Sequence, residues 1–258
     1  MNNIKYLTKE ASIIANLYNA KRYSEAITKS KKIINKFPDE ILFYNILSLS
    51  LSAENNNEEA IVYLNKALNM QPNNIFVLNN LGLIYSNLHN FNKAEFYFEE
   101  ALKRDPNFFD ALLNYGNFFI KKNKHQSSIK IFQKAYDVAK NDNLKEIALF
   151  TLGNTYQQIG DFVNSTDIYK KLLEINPNYT KADKAISLVH KYASSEDVHL
   201  KDMIQKTPNI TIKEDFKTLA FALGKAFEDI REFDKSFHYI TQANEIEKQQ
   251  LNYNIDDD

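Results

Sequence analysis

Five histidines are the residues of this sequence best suited to ligate a metal or move a proton: His89, His125, His190, His199 and His238. That chemistry needs imidazoles paired with each other or with carboxylates at fixed spacing. His89 and His125 fall in turns between paired helical segments. None of His190, His199 and His238 is followed by a carboxylate four residues on, so neither a metal nor a catalytic role is expected of them. The carboxylate pairs Glu58-Glu59, Glu99-Glu100 and Glu228-Asp229 are adjacent on helices and point in different directions, which suits solvated charge. The lysine clusters (Lys29, Lys31, Lys32, Lys36; Lys121, Lys122, Lys124) lack interleaved aromatics and have acids nearby, so they read as a solvated face. With 32 basic and 33 acidic residues, the chain has no general attraction to nucleic acid or to an anionic membrane. Zero cysteines remove disulfides and thiol chemistry and fit a reducing cytosol. No cofactor is expected.

One polar type does recur in a pattern. Asn45, Asn79, Asn80, Asn114, Asn117 and Asn154, with Thr151 at one rung, stand at nearly regular intervals within helix-like segments. A column of amides can donate and accept at once, which suits the backbone of an extended peptide.

The elements that must position these residues are marked by the chain breakers. Five glycines and five prolines in 258 residues are too few for a β-sandwich or a doubly wound sheet, both of which need many turn residues. The most apolar stretch, Ile41 to Ala53, is interrupted by Asn45 and several serines and is too short to span a membrane. The first residues lack the build of a signal peptide. Pro38, Pro72 and Pro106 are spaced 34 apart, and Pro177 lies 71 further on. Gly82 and Gly116 are also 34 apart, Gly153 follows after 37 and Gly224 after 71. A fixed period of this length signals stacked supersecondary units.

Leu78-x2-Leu81-Gly82-x2-Tyr85, then Ala94-x3-Phe98, Ala101 and Pro106, resembles the tetratricopeptide repeat at every signature position except a tryptophan, replaced by Leu78. The units carrying Tyr44 to Pro72, Leu112 to Ala135 and Leu149 to Pro177 keep the same register. A weaker first unit keeps Leu17, Ala26, Ile33 and Pro38. The resemblance implies an all-α, right-handed α-solenoid of helix-turn-helix repeats. Five repeats are expected at about 7–40, 41–74, 75–108, 109–145 and 146–179. A degenerate repeat or connector covers 180–216, a further repeat 217–250, and an acidic linker 251–258. In such a unit a glycine in the first helix and a small residue in the second (Ala26, Ala60, Ala94, Ser128, Ser165) allow close approach. The proline ends the second helix, and Asp39, Asn73, Asn107 or Asn178 is expected to cap the next. Asn141-Asp142-Asn143 reads as a longer loop. Ser195-Glu196-Asp197 reads as the cap of a short helix, and Thr211-x-x-Glu214 as a capping box.

The last segment, Leu219 to Ile230 with Phe233-Asp-Lys-Ser-Phe237 and Gln242-Ala-Asn244, resembles the junction before the catalytic domain in bacterial fusions of these repeats to a sulfotransferase. Tyr253-Asn-Ile-Asp-Asp resembles the start of the linker there. Such an enzyme binds 3′-phosphoadenosine-5′-phosphosulfate through a glycine-containing loop. Every glycine here already has a place in a helix contact or a turn, and no such loop occurs in these residues. The chain is either part of a longer protein or a lone repeat protein descended from such a fusion. The resemblance further implies that the first helix of each unit lines a concave face, which puts the asparagine column in a groove. Similar asparagine ladders occur in the repeat region of a protein glycosyltransferase family. The expected function is thus a non-catalytic, cytoplasmic, bacterial scaffold binding a protein or peptide. The alternative is the substrate-recruiting region of a sulfotransferase whose catalytic domain continues covalently downstream.

Overall fold

The computed structural model describes residues 2–251, which divide into two compact units, one up to Val138 and one from Ala139 onward. The described residues form fourteen α-helices and one short 3-10 turn, with no strand among them. Tyr253 to Asp258, and with them most of the expected linker, lie outside the described residues, while Leu251 still belongs to the last helix.

The first unit holds α1 (Asn2–Asn19), α2 (Tyr23–Lys36), α3 (Ile41–Ala53), α4 (Asn57–Met70), α5 (Ile75–Asn87), α6 (Phe91–Arg104), α7 (Phe109–Lys121) and α8 (His125–Val138). Each helix packs on its chain neighbour, and α1, α3, α5 and α7 also pack on one another in sequence. Three-residue turns close the hairpins α1–α2, α3–α4, α5–α6 and α7–α8. In each turn the third residue donates its N–H to a carbonyl five back, as in Asn56 to Leu51, Asn90 to Tyr85 and Lys124 to Phe119, all at 2.9 Å. This geometry needs a left-handed middle residue. Lys21, Asn55, His89 and Asn123 supply it with φ between 54° and 62°. Glycine is scarce in this chain partly because its usual place in this turn is filled by other residues.

The links between hairpins carry the prolines. Asn74 donates its N–H to the Gln71 carbonyl and Phe108 to that of Asp105, both at 3.1 Å. Pro72 and Pro106 thereby occupy the second position of a β-turn, where their fixed φ is preorganised.

Inside a hairpin the close contact is between a glycine and a ring sixteen residues later. A Cβ added at Gly82 would lie 2.7 Å from the Phe98 ring, and one at Gly116 would lie 2.3 Å from Phe132. Ala26, Ala60, Ala94 and Ser128 at the facing small position are fully buried. The core continues from hairpin to hairpin through Leu47, Leu64, Leu81 and Phe98, all without solvent exposure. Each such side chain contributes about 2 kcal/mol on burial.

The second unit holds α9 (Asp142–Gln158), α10 (Phe162–Ile175), α11 (Thr180–Val189), α12 (Val198–Lys206), the 3-10 turn Thr207–Asn209, α13 (Lys213–Asp229) and α14 (Phe233–Leu251). α9–α10 and α13–α14 are hairpins of the same kind, with Gly153 against Tyr169 and Gly224 against Ile240. Their turns place Gly160 and Arg231 at positive φ. Between them α11 packs on both α10 and α13, and α12 packs on α13.

Several local expectations are corrected. Asp39, Asn73, Asn107 and Asn178 do not cap the helices that follow them. α5 is capped by Asn74, whose side chain accepts from the N–H groups of Phe76 and Val77, and α3, α7 and α11 have no side-chain cap. The polar residues before proline act instead: Asp105 and Asn176 accept from the N–H of Asn107 and Asn178 at 2.9 and 3.1 Å. The Asn141-Asp142-Asn143 insertion lengthens a helix rather than a loop, because Asn141 caps α9 and the next two residues are its first. Thr211 forms no capping box. α13 begins after Ile212 with no side-chain cap, and Glu214 pairs with Lys217 at 2.8 Å. His125 lies in no turn but is the first residue of α8.

Candidate functional site: an amide chain and a histidine network

In the first unit four of the singled-out asparagines form one hydrogen-bonded chain. Asn80 Nδ2 donates to Asn45 Oδ1 at 3.1 Å, and Asn114 Nδ2 donates to Asn79 Oδ1 at 3.0 Å. Both bonds join residues 35 apart, so each ties one odd-numbered helix to the next. A longer contact of 3.5 Å from Asn79 Nδ2 to Asn80 Oδ1 links the two pairs. Asn79 and Asn80 are buried, Asn45 and Asn114 half-buried, and Asn117 exposed. At the ends of the chain, the Asn45 amino group and the Asn114 carbonyl have no recorded protein partner. In the second unit Thr151 donates to its own helix at Ile147, 2.8 Å away. Asn154 accepts from the Tyr169 hydroxyl at 2.7 Å. Burial raises the pKa of that hydroxyl to about 12, so it remains a donor. Phe150 and Thr151 stand where α5 has Asn79 and Asn80, so the paired amides of α5 are not repeated on α9.

The second unit contains a polar cluster that sequence spacing did not predict. Asp183 on α11 has no solvent exposure. Its carboxylate accepts from His199 Nε2 at 3.2 Å, and Lys206 Nζ lies 2.7 Å from it. With Nε2 donating, His199 Nδ1 accepts from the Tyr192 hydroxyl at 2.7 Å. Burial first, and then the charges of Asp197, Asp183 and Asp229, push the Tyr192 hydroxyl far above its ordinary pKa. It is held neutral as a donor and is no nucleophile. His190 Nε2 meets Asp197 at 2.8 Å. Burial would raise the Asp197 carboxyl, but the bonds from His190 and the Leu200 N–H outweigh it and hold it below the usual range. Asp229 takes Lys191, Lys225 and the Tyr192 N–H. Again burial opposes and these bonds prevail, leaving its pKa at about 2. Asp229, its side chain 10% exposed, is therefore a latch on this loop rather than solvated helix charge.

A cavity of about 460 Å³ opens beside this network between α10 and α12, lined by Lys170, Glu174, His190, His199 and Asp202 among others. Among the described residues no group of three or more histidine and carboxylate side chains could hold a metal ion. The contacts Tyr192–His199, Asp183–His199 and His190–Asp197 join residues 7, 16 and 7 apart across the α11–α12 connection, and none of them falls at the glycine-to-ring position of a repeat. Only the loop between α11 and α12, folded inward through Tyr192, brings them together. The one sequence signal was the helix-capping position of Asp197.

The tetratricopeptide repeat family matches residues 42–74, 75–108, 97–130 and 147–179. The chain carries tetratricopeptide repeats. An uncharacterized protein of Aquifex aeolicus is 27% identical over 95 residues, which are 37% of this chain and 12% of that protein. Among solved structures, the C-terminal part of a tetratricopeptide-repeat protein from Cytophaga hutchinsonii is similar with a TM-score of 0.60 at 15% identity, covering 92% of this chain and 95% of that one. The pilF protein of Pseudomonas aeruginosa is similar with a TM-score of 0.57 at 19% identity, covering 81% and 96%. At these identities the likeness concerns the fold. Within the matched repeats, Asn45, Asn79, Asn80, Asn114 and Asn117 all lie on first helices, and the Asp183–His199 network lies beyond residue 179, outside every matched segment. No described helix is long and apolar enough to cross a membrane.

Proposed function

We propose that this chain is a non-catalytic scaffold that binds a protein or peptide through the first-helix face of its repeats. Tetratricopeptide-repeat proteins bind protein or peptide partners. The five repeats would run from about 7 to 179, with a degenerate connector over 180–216 and a further repeat at 217–250. The observation that carries the reading is the amide chain Asn45–Asn80–Asn79–Asn114. It fixes the orientation of each amide by a bond to the neighbouring helix and leaves polar groups at its ends for a ligand backbone. Asn117 adds a free amide one turn beyond Asn114.

Selection from a peptide phage library, followed by fluorescence polarisation of the selected peptides, tests it. Asn114→Ala with Asn117→Ala should weaken binding by roughly 1 kcal/mol per lost bond. Selected peptides that bind this variant as tightly as the native chain would remove the amides from the reading. Failure to select any peptide would remove the groove itself.

A further inference from the structure

We infer that the ligand of the first unit is an extended segment in polyproline II conformation, with two apolar side chains and one basic side chain at successive i, i+3 and i+6 positions. The inference rests on the groove reading above and specifies its partner.

It starts from the second residue of each first helix. Leu42 on α3 and Phe76 on α5 are 52% and 53% exposed, large apolar side chains left half in water. Asp110 stands at the same place on α7 and is exposed. The three are spaced 34 apart, one per repeat, so the face presents two apolar rungs and then an acidic one. Phe76 is held in place by an edge-on contact with Phe108, ring centroids 5.1 Å apart. Asp110 takes part in none of the ion pairs recorded among the described residues. Its place in the first turn of α7 suits the helix dipole, but the dipole gives no reason for the apolar pair beside it. One helical turn further along, Asn45 and Asn79 bring the amide chain alongside these rungs.

The spacing selects the ligand conformation. Packed helices lie about 8–10 Å apart. A polyproline II segment returns to the same side every three residues, which at about 3.1 Å each is roughly 9 Å. A strand returns every two residues, after about 6.7 Å, and a helix after about 5.4 Å. A helix also satisfies its own backbone and would leave the amides nothing to bond. The polyproline II backbone has no internal hydrogen bonds, so its carbonyls remain available to the uncommitted amino group of Asn45.

The test uses the full chain and fluorescein-labelled 11-residue peptides on a Pro/Gln/Ser background. One carries Leu at positions 3 and 6 and Lys at 9, and a second carries them in reverse order. Controls replace Lys by Glu, or compress the spacing to two. One of the two orders should bind, with both of its controls at least about fivefold weaker, the size of a modest charge pair. Phe76→Ala should weaken that peptide about tenfold. Asp110→Lys should invert the preference between the Lys and Glu peptides. All three rung side chains are exposed, so the variants should keep native circular dichroism. Equal binding of pattern and controls, or an unchanged preference in Asp110→Lys, overturns the inference. If peptides bind without regard to pattern yet weaken with Asn114→Ala and Asn117→Ala, this inference falls and the groove reading stands. If no peptide binds, both fall.

Discussion

Gly116→Ala sets two effects of opposite sign against each other. Helix propensity alone predicts that alanine in the middle of α7 stabilises the chain by about 0.8–1.0 kcal/mol. The added Cβ would lie 2.3 Å from Phe132 Cε1 and 2.7 Å from Cδ1 and Cζ. Phe132 has no exposed surface into which its ring can retreat. Overpacking of this kind costs about 1–3 kcal/mol, and three ring atoms closer than 3 Å place this site near the upper end. The net expectation is a loss of about 1–2 kcal/mol. Gly160→Ala is the control, with φ +77° and no heavy atom within 4 Å of the added Cβ. Its cost is backbone strain of about 1 kcal/mol with no packing component. Since stability in a repeat array is local, the assay is native-state hydrogen exchange read over α7 and α8, with urea denaturation alongside. Gly116→Ala should speed exchange there, and Phe132→Leu in the same chain should recover part of the loss. A neutral or stabilised Gly116→Ala, or no coupling with Phe132→Leu, would refute the close approach of glycine and ring.

Ala94 is fully buried at the facing small position, and Ala94→Leu should cost about 1–3 kcal/mol; an unchanged melting temperature contradicts the packing register. The Tyr169 hydroxyl has its pKa raised by burial from 10.0 to about 12. Because the neutral form is favoured in the folded state, its contribution is present below pH 10 and lost as pH rises toward 12. Ultraviolet titration of native chain against Tyr169→Phe checks this, and loss of a transition near pH 10 would contradict it. Asp229, at about 2, contributes stability that is present above pH 3.8 and lost as pH falls through about 2. Asp229→Asn should loosen residues 190–197 by about 2 kcal/mol, since it removes charge-assisted bonds; unaltered exchange of the Tyr192 N–H would rule out the latch.

The hairpins were legible in the sequence because each must solve the same packing problem with residues of one size. Gly116 and Phe132, or Gly153 and Tyr169, recur at a fixed separation, and a residue of the wrong volume there would separate two helices. The asparagines were legible as a column for the same reason, since a residue on one rung faces its counterpart one period later. Their bonding was not. Asn79 accepts from Asn114 while Asn80 donates to Asn45, and adjacent residues of one type cannot be assigned opposite roles until the neighbouring helices are in place. The cap of α5 lies one residue beyond the one expected, and α3, α7 and α11 have no side-chain cap, the proline turns before α7 and α11 using the polar residue ahead of the proline instead.

The amino-acid sequence alone sets an all-helical chain of paired helices, the residues at each close contact and the interval at which the asparagines recur. All of these follow from local periodicity. That Tyr192 folds inward between α11 and α12 and bonds His199, which in turn bonds Asp183, and that Asp229 fastens that loop, follows from how the helices pack. Those contacts lie across the α11–α12 connection or between it and α13, away from the glycine-to-ring positions of the hairpins, and burial, not period, selects them. The same holds for the half-exposed row of Leu42, Phe76 and Asp110: their spacing is written in the sequence, but their exposure depends on what the neighbouring helices leave uncovered.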